Sequence, residues 1–142
     1  MTPPTEASIG MVIVAHGALA DALLHATEHV VGPQDGFCAI PIGPNDDLRR
    51  CQNRIDQAVA EVRNGAGVIV VTDMFGGTPS NLAHGVMDER DVEVIYGANL
   101  PMLVKLAKMR DRPLAEAVAA GVEAGRKYVN SATAILTTEQ AS

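Results

Sequence analysis

Two side chains suited to phosphoryl chemistry each follow an apolar run of the kind that forms a buried strand. His16 and Gly17 follow the run 12–15, and Asp73 follows the run 70–72. Parallel strands of an α/β sheet end at a common edge, where the loop residues build binding sites. A neutral imidazole accepts a phosphoryl group well when a carboxylate holds its second nitrogen. The pattern therefore predicts His16 and Asp73 as catalytic residues.

The segment that follows Asp73 has the composition of an anion-binding turn. It contains Gly76, Gly77 and Thr78, followed by Pro79. Consecutive backbone N–H groups at the start of a helix bind phosphate oxygens, and a threonine hydroxyl adds one more donor. We expect Thr78 to be the N-cap and Pro79 the first helical residue. A tight turn with a threonine cap has the same residues, and the loop is not a Walker motif because no lysine follows.

Apolar runs and helical periodicities alternate along the chain, which predicts one doubly wound, mainly parallel α/β sheet with helices on both faces. The predicted strands are Ile9–Ala15, Phe37–Ile42, Gly67–Thr72, Val92–Tyr96 and Tyr128–Leu136. The predicted helices are Ala18–Val31, a helix from Asn45 or Asp46 to Asn64, one after Thr78, one from Leu100 to Met109, and Leu114–Ala124. Residues 1–8 are predicted as an N-terminal tail, 9–136 as the single domain and 137–142 as a C-terminal tail.

The predicted site depends on the order of the strands. In a flavodoxin-like order the first and third strands are neighbours at the switch point, so His16 and the 73–79 loop face each other across a crevice. Taken singly, His16 also fits a structural histidine at a strand end, and Asp73 fits a turn residue. Their occurrence at two adjacent strand ends favours the functional interpretation.

Composition excludes several classes of function. The 142 residues carry a formal net charge of −6, which argues against nucleic acid or an anionic membrane as the main partner. Cys38 and Cys51 lack metal-ligand spacing and are expected to be buried thiols in a reducing compartment. The chain lacks a signal-like start and an apolar run of membrane-spanning length, so a cytoplasmic protein without membrane insertion is expected.

The other histidines and a cluster of basic residues are interpreted as structural or surface residues. His25, Glu28 and His29 spell H-x-x-E-H, a zinc-protease pattern, but they face away from the apolar stripe of their helix and no third ligand is apparent. No metal is therefore predicted. His84 is expected at the surface or in packing. A basic cluster expected to form a solvated face consists of Lys105, Lys108, Arg110 and Arg112.

Three blocks of sequence are specific enough to indicate a family. They are His16-Gly17 followed by Leu-Ala-Asp-Ala-Leu-Leu at 19–24, the block Thr-Asp-Met-Phe-Gly-Gly-Thr-Pro-Ser-Asn at 72–81, and Gly-Ala-Asn-Leu-Pro-Met-Leu at 97–103. Together they resemble the mannose-type enzyme IIA of the bacterial phosphotransferase system, over about residues 9–136. Segments 72–75, 99–102 and 123–128 look most like the stand-alone enzyme IIA of alphaproteobacteria, which often belongs to phosphotransferase systems thought to have a regulatory role and not to import sugar.

The resemblance implies a phosphotransferase with a phosphohistidine intermediate and no cofactor. His16 would accept phosphate from the phosphohistidine of HPr, and Asp73 would pair with its ring. The phosphoryl group would be bound by Thr78 and nearby backbone, which includes Gly17, Phe75, Gly76 and Gly77. Phe75 occupies a position where many relatives carry Trp. A homodimer is also implied, in which the last strand, about 128–136, crosses to the partner subunit.

Several functions remain compatible with the sequence. The phosphoryl group would pass to a separate enzyme IIB, or the phosphorylated chain would act as a regulatory binding module read by a target protein. A phosphotransfer subunit of a dihydroxyacetone kinase is a further alternative. A nucleotide- or flavin-binding domain is disfavoured, because Ile42-Gly43-Pro44 offers no ribose-binding acid and the first turn lacks G-x-G-x-x-G.

Overall fold

The computed structural model describes residues 7–74, 76–86 and 91–141, and within them four parallel strands form one sheet. The strands are β1 (Ser8–His16), β2 (Phe37–Ile42), β3 (Gly65–Thr72) and β4 (Val92–Ile95). Their order is β2-β1-β3-β4, which confirms the flavodoxin-like arrangement. Val14 lies opposite Thr72 in the register of β1 and β3, so these two strands end side by side.

Six helices are described in the same parts of the chain. They are α1 (Leu19–Val31), α2 (Leu48–Val62), α3 (Thr78–His84), α4 (Leu100–Lys108), α5 (Leu114–Lys127) and α6 (Ala132–Ala141). The first five follow the predicted order, and α5 continues three residues beyond its predicted end at Ala124.

Alternate residues of the central strands enter two separate cores, as expected for a sheet that is covered on both faces. Val12 and Val14 of β1 pack with buried side chains of α2 and α3. Met11 and Ile13 pack with α1, α4 and α5 on the opposite face. The two cores hold β1 and β3 rigidly, so the residues that follow these strands have fixed positions.

Arg110 closes the amino-terminal end of the sheet. Its Nε donates a hydrogen bond of 2.6 Å to the Ile9 carbonyl, and one of its terminal nitrogens donates to the Gly36 carbonyl. The Ile9 N–H donates in return to the Arg110 carbonyl. The expectation that Arg110 is part of a solvated face is therefore wrong, because its guanidinium satisfies backbone carbonyls at the strand starts.

The predicted fifth strand at Tyr128–Leu136 is wrong, because α6 begins at Ala132. The Ser131 hydroxyl accepts a hydrogen bond from the Ala134 N–H, as an N-cap residue does. Ile135 and Leu136 are exposed, so no buried face selects the extended conformation. Exchange of this segment between subunits stays a prediction.

Two helix caps also differ from expectation by one residue. Asp47, and not Asn45 or Asp46, caps α2 by accepting hydrogen bonds from the Arg49 and Arg50 N–H groups. Asp46 instead accepts a 2.7 Å hydrogen bond from the Gly43 N–H within the loop. At α3 the N-cap is Gly77, and Thr78 is the first helical residue.

Replacing Gly10 of β1 by alanine should lower the free energy of unfolding by about 1–3 kcal/mol, because overpacking forces a backbone shift. A Cβ atom there would lie 2.4 Å from the Val62 carbonyl oxygen at the end of α2. Gly85→Ala is the control, since its Cβ would meet only the flexible end of Gln52. Urea unfolding of both variants measures the difference, and equal stability would contradict the expected clash.

Candidate functional site

The structure brings His16 and Asp73 together at the carboxyl end of the sheet. His16 is the last residue of β1, and Asp73 directly follows β3, its hydrogen-bonded neighbour. The His16 backbone N–H donates a 3.0 Å hydrogen bond to Asp73 Oδ2. The ring atom Nδ1 lies 2.8 Å from the same oxygen. The two side chains therefore meet across the switch point, as the sequence predicts.

Burial differs strongly between the two partners. The side chain of His16 is 50% exposed, whereas that of Asp73 is 11% exposed. The Met74 N–H donates a 3.0 Å hydrogen bond to Asp73 Oδ1, so both carboxylate oxygens are engaged. The carboxylate is thus fixed inside the site, and the imidazole faces an approaching molecule.

The pKa of Asp73 lies below its ordinary value. Burial alone raises that pKa, but the hydrogen bonds from the backbone and ring of His16 and the charge of the ring outweigh burial. The carboxyl group is therefore ionised at neutral pH and can only accept hydrogen bonds. Nδ1 of His16 must then carry the hydrogen, which leaves Nε2 with a free lone pair.

Glycines give the backbone close access to this ring. A Cβ atom at Gly77 would lie 3.0 Å from Cε1 and 3.3 Å from Nε2 of His16. Gly17 has a φ of +53° and Gly76 a φ of +91°, in the left-handed region that other residues rarely adopt. The missing side chain at Gly77 leaves space beside the nitrogen that has the lone pair.

A shallow cavity of about 190 Å³ opens beside His16. Of the predicted residues, Gly17 and Thr78 also line it. Four further lining residues were not predicted: Gly43, Pro44 and Asp46 of the loop after β2, and Leu48, the first residue of α2. The sequence contains a signal for the residues of this loop, because Gly43-Pro44 directly follows the β2 run. Since β2 is parallel to β1 and next to it, this turn must lie at the same edge of the sheet as His16.

The remaining candidate residues lie elsewhere or are not described. Phe75 falls outside the described residues. His25 and His29 are exposed, and Glu28 accepts a hydrogen bond from the Gln34 N–H. His84 is exposed at the end of α3, where its ring contacts the Tyr96 hydroxyl. Across the described ranges, no group of three or more histidine, cysteine or acidic side chains has the arrangement of a metal site.

The two cysteines occupy different environments. Cys51 is buried on α2, as predicted, whereas Cys38 on β2 is only half-buried. Burial, with the nearby charge of Glu61, raises the pKa of the Cys38 thiol to about 11, so this thiol is protonated at neutral pH. None of the described helices is long and apolar enough to cross a membrane.

Comparison with known proteins identifies relatives of this arrangement. Residues 10–123 match the family model of mannose-type IIA components, described as the fructose IIA component of the phosphotransferase system. The mannose-specific EIIAB component of Escherichia coli (strain K12) is 34% identical over 127 residues, which cover 87% of this chain. The fructose-specific EIIA component of Bacillus subtilis (strain 168) is 26% identical, covering 72% of this chain and 71% of its own.

A solved structure supports the same relationship. The mannose/sorbose-specific IIA subunit of Enterococcus faecalis superimposes with a TM-score of 0.78 at 25% identity, covering 87% of this chain and 93% of its own. The chain spans only 39% of the length of the Escherichia coli EIIAB component. The family match over residues 10–123 includes both members of the His16–Asp73 pair and the four strands, apart from the first two residues of β1. The chain therefore belongs to the mannose-type IIA family of the phosphotransferase system.

Proposed function

We propose that this chain is a phosphocarrier: His16 accepts a phosphoryl group from phosphorylated HPr and passes it to an enzyme IIB or holds it as a regulatory signal in the cytoplasm. The observation that carries the proposal is the 2.8 Å contact between His16 Nδ1 and Asp73 Oδ2 on a half-exposed ring. A carboxylate on one ring nitrogen makes the other a better nucleophile and holds the ring in one tautomer.

In the proposed transfer, the phosphoryl group moves from the imidazole ring of the donor histidine to that of His16. The Nε2 lone pair of His16 forms the new P–N bond while the P–N bond of the donor histidine breaks, and its electron pair returns to the donor nitrogen. The phosphorylated His16 ring keeps its hydrogen on Nδ1 and carries a positive charge. Asp73 accepts that Nδ1 hydrogen bond and stabilises the charge as it develops.

The phosphoryl oxygens need donors on the side of the ring that faces Gly77. We assign this role to Thr78 and the backbone N–H groups around Gly76 and Gly77, with Gly17 and Phe75 completing the site. Phosphoryl transfer is mainly a matter of in-line positioning and charge stabilisation, and backbone N–H groups at a helix start supply both. The close approach of Gly77 to Nε2 supports this assignment.

The surroundings of His16 suit a protein donor. Leu48 lines the cavity, and Leu19 and Met74 follow β1 and β3, the strands that position His16 and Asp73. These three residues are 57%, 42% and 54% exposed. Large exposed apolar residues near a functional site are typical of a protein–protein interface. A protein that carries its own phosphohistidine could cover this rim while its ring reaches His16.

The proposal includes a homodimer that covers the C-terminal segment. Tyr128, Val129, Ile135 and Leu136 are each at least 46% exposed. A groove of about 720 Å³ runs along β4, the edge of the described sheet, and is lined mainly by β4 and α5. An unpaired edge strand beside exposed apolar side chains is the kind of surface that a second subunit covers.

Replacing His16 by alanine should abolish labelling from radioactive phosphoenolpyruvate in the presence of enzyme I and HPr. The label on the wild-type chain should be acid-labile and base-stable, as phosphohistidine is. His29→Ala is the matched control, because His29 is an exposed histidine in the last turn of α1, at the end of that helix away from His16, and should label fully. Full labelling of the His16 variant would remove this residue from the mechanism.

Replacing Asp73 by asparagine should slow phosphoryl transfer by about two to four orders of magnitude, because the tautomer-fixing negative charge is lost. Rapid-quench measurement of transfer from phosphorylated HPr gives the rate, and circular dichroism checks the fold. Asp21→Asn removes an exposed carboxylate of α1 and should transfer at the wild-type rate. An Asp73 variant as fast as wild type would refute the assigned role.

Removing residues 128–142 should convert the homodimer to a monomer, since this deletion takes away the exposed apolar side chains of the C-terminal segment. Multi-angle light scattering measures the mass of both chains. A control deletion of residues 1–5 should leave the dimer intact. A truncated chain that stays dimeric would show that another surface joins the subunits.

A further inference from the structure

The three lysines of the sequence, Lys105, Lys108 and Lys127, line one groove. The groove runs between α4 and α5, has a volume of about 450 Å³, and reaches Tyr128 at one end. The chain as a whole has a formal net charge of −6, with 17 acidic and 11 basic residues. Gathering every lysine of an acidic chain into one groove makes a local region of opposite charge.

The lysines are available for a ligand. In the ranges 7–74, 76–86 and 91–141, no ion pair involves any of them. The one ring contact among them is that of Lys127, whose Nζ lies 5.6 Å from the centre of the exposed Tyr128 ring. Arg110 and Arg112, which the sequence groups with two of the lysines, behave differently. Arg110 binds carbonyls at the sheet end, and Arg112 lies 3.8 Å from Glu116. The two arginines thus have polar partners in the chain, whereas the three lysines are exposed to solvent.

Helix dipoles explain only part of this arrangement. Lys105 and Lys108 lie in the last turn of α4, and Lys127 lies in the last turn of α5, where positive charge is favourable. That effect accounts for each lysine on its own helix. It does not account for the side chains of two different helices lining the same groove.

The packing of the two helices sets the spacing of the charges. A Cβ at Gly121 would meet Leu106, and one at Gly125 would meet Met102, so α4 and α5 run antiparallel. Lys127 therefore lies beside the start of α4, whereas Lys108 is its last residue. At 1.5 Å per helical residue, the two lysines are about 12 Å apart along the axis.

We propose that this groove, which is separate from the His16 site, binds an extended acidic segment of a partner protein. A span of about 12 Å matches roughly four residues of extended chain, at about 3.3 Å per residue. An extended acidic segment can pair with lysines at both ends of such a span without drawing their side chains together. Pro101, Val104 and Ala120 add apolar surface between the charges, and Glu123 limits where an acidic side chain can lie.

Binding of a fluorescein-labelled hexaglutamate peptide, followed by anisotropy in about 50 mM salt, tests the proposal. The variant Lys105→Gln/Lys108→Gln/Lys127→Gln should bind about tenfold more weakly, from three exposed charge contacts of a few tenths of a kcal/mol each. The matched control is Arg49→Gln/Arg50→Gln/Arg54→Gln, which removes three exposed positive charges from α2 and should bind like the wild type. His16→Ala should also bind like the wild type, so this test is independent of phosphoryl transfer.

Four results would overturn the proposal. The peptide could bind the lysine variant as tightly as the wild type, or a labelled hexaserine peptide could bind as tightly as hexaglutamate. Pyrophosphate could compete at the same concentration as unlabelled hexaglutamate, which would make the groove a small-anion site. Finally, the lysine variant could change the mass measured by light scattering, which would make the groove an interface between copies of this chain.

Discussion

The hydrogen bond between His16 Nδ1 and Asp73 Oδ2 determines what this site can do. Its 2.8 Å length joins residues 57 positions apart, at the ends of two strands that are neighbours only in the folded chain. Because the pKa of Asp73 is lowered, the carboxylate is ionised at neutral pH. Its contribution to stability is present above the unfolded pKa of the carboxyl group and is lost as the pH falls through the lower folded pKa. The pair is therefore intact across the pH range in which a cell works.

The two cores, one on each face of β1 and β3, hold this bond in a fixed geometry. Odd-numbered residues of β1, such as Met11 and Ile13, enter one core, and even-numbered residues, such as Val12 and Val14, enter the other. A strand packed on both sides cannot slide by one residue without reversing every side chain. The register that pairs Val14 with Thr72 is thus locked, and it places the next residues at hydrogen-bonding distance.

His16 and Asp73 could be predicted from sequence because continuous apolar runs identify buried parallel strands, and such strands end at a common edge. The loop after β2 was missed, although the same logic applies to Gly43 and Pro44. The C-terminal segment could not be assigned by pattern, since its alternation is weak and no buried face selects strand over helix. Arg110 was misassigned for a different reason: its partners are backbone carbonyls, which leave no signature in the sequence.

The difference in burial between the two partners suits the proposed role of His16 as a phosphoryl acceptor. A bound phosphoryl group adds about two negative charges, and this chain already has a formal net charge of −6. If Asp73 were as exposed as His16, its charge would meet the incoming phosphoryl oxygens directly. At 11% exposure and with both oxygens hydrogen-bonded, it instead acts through the ring, on the side opposite to the reacting nitrogen. In the proposed phosphorylated state, repulsion of the phosphoryl group would thereby be reduced, while the positive ring that carries it would still be stabilised.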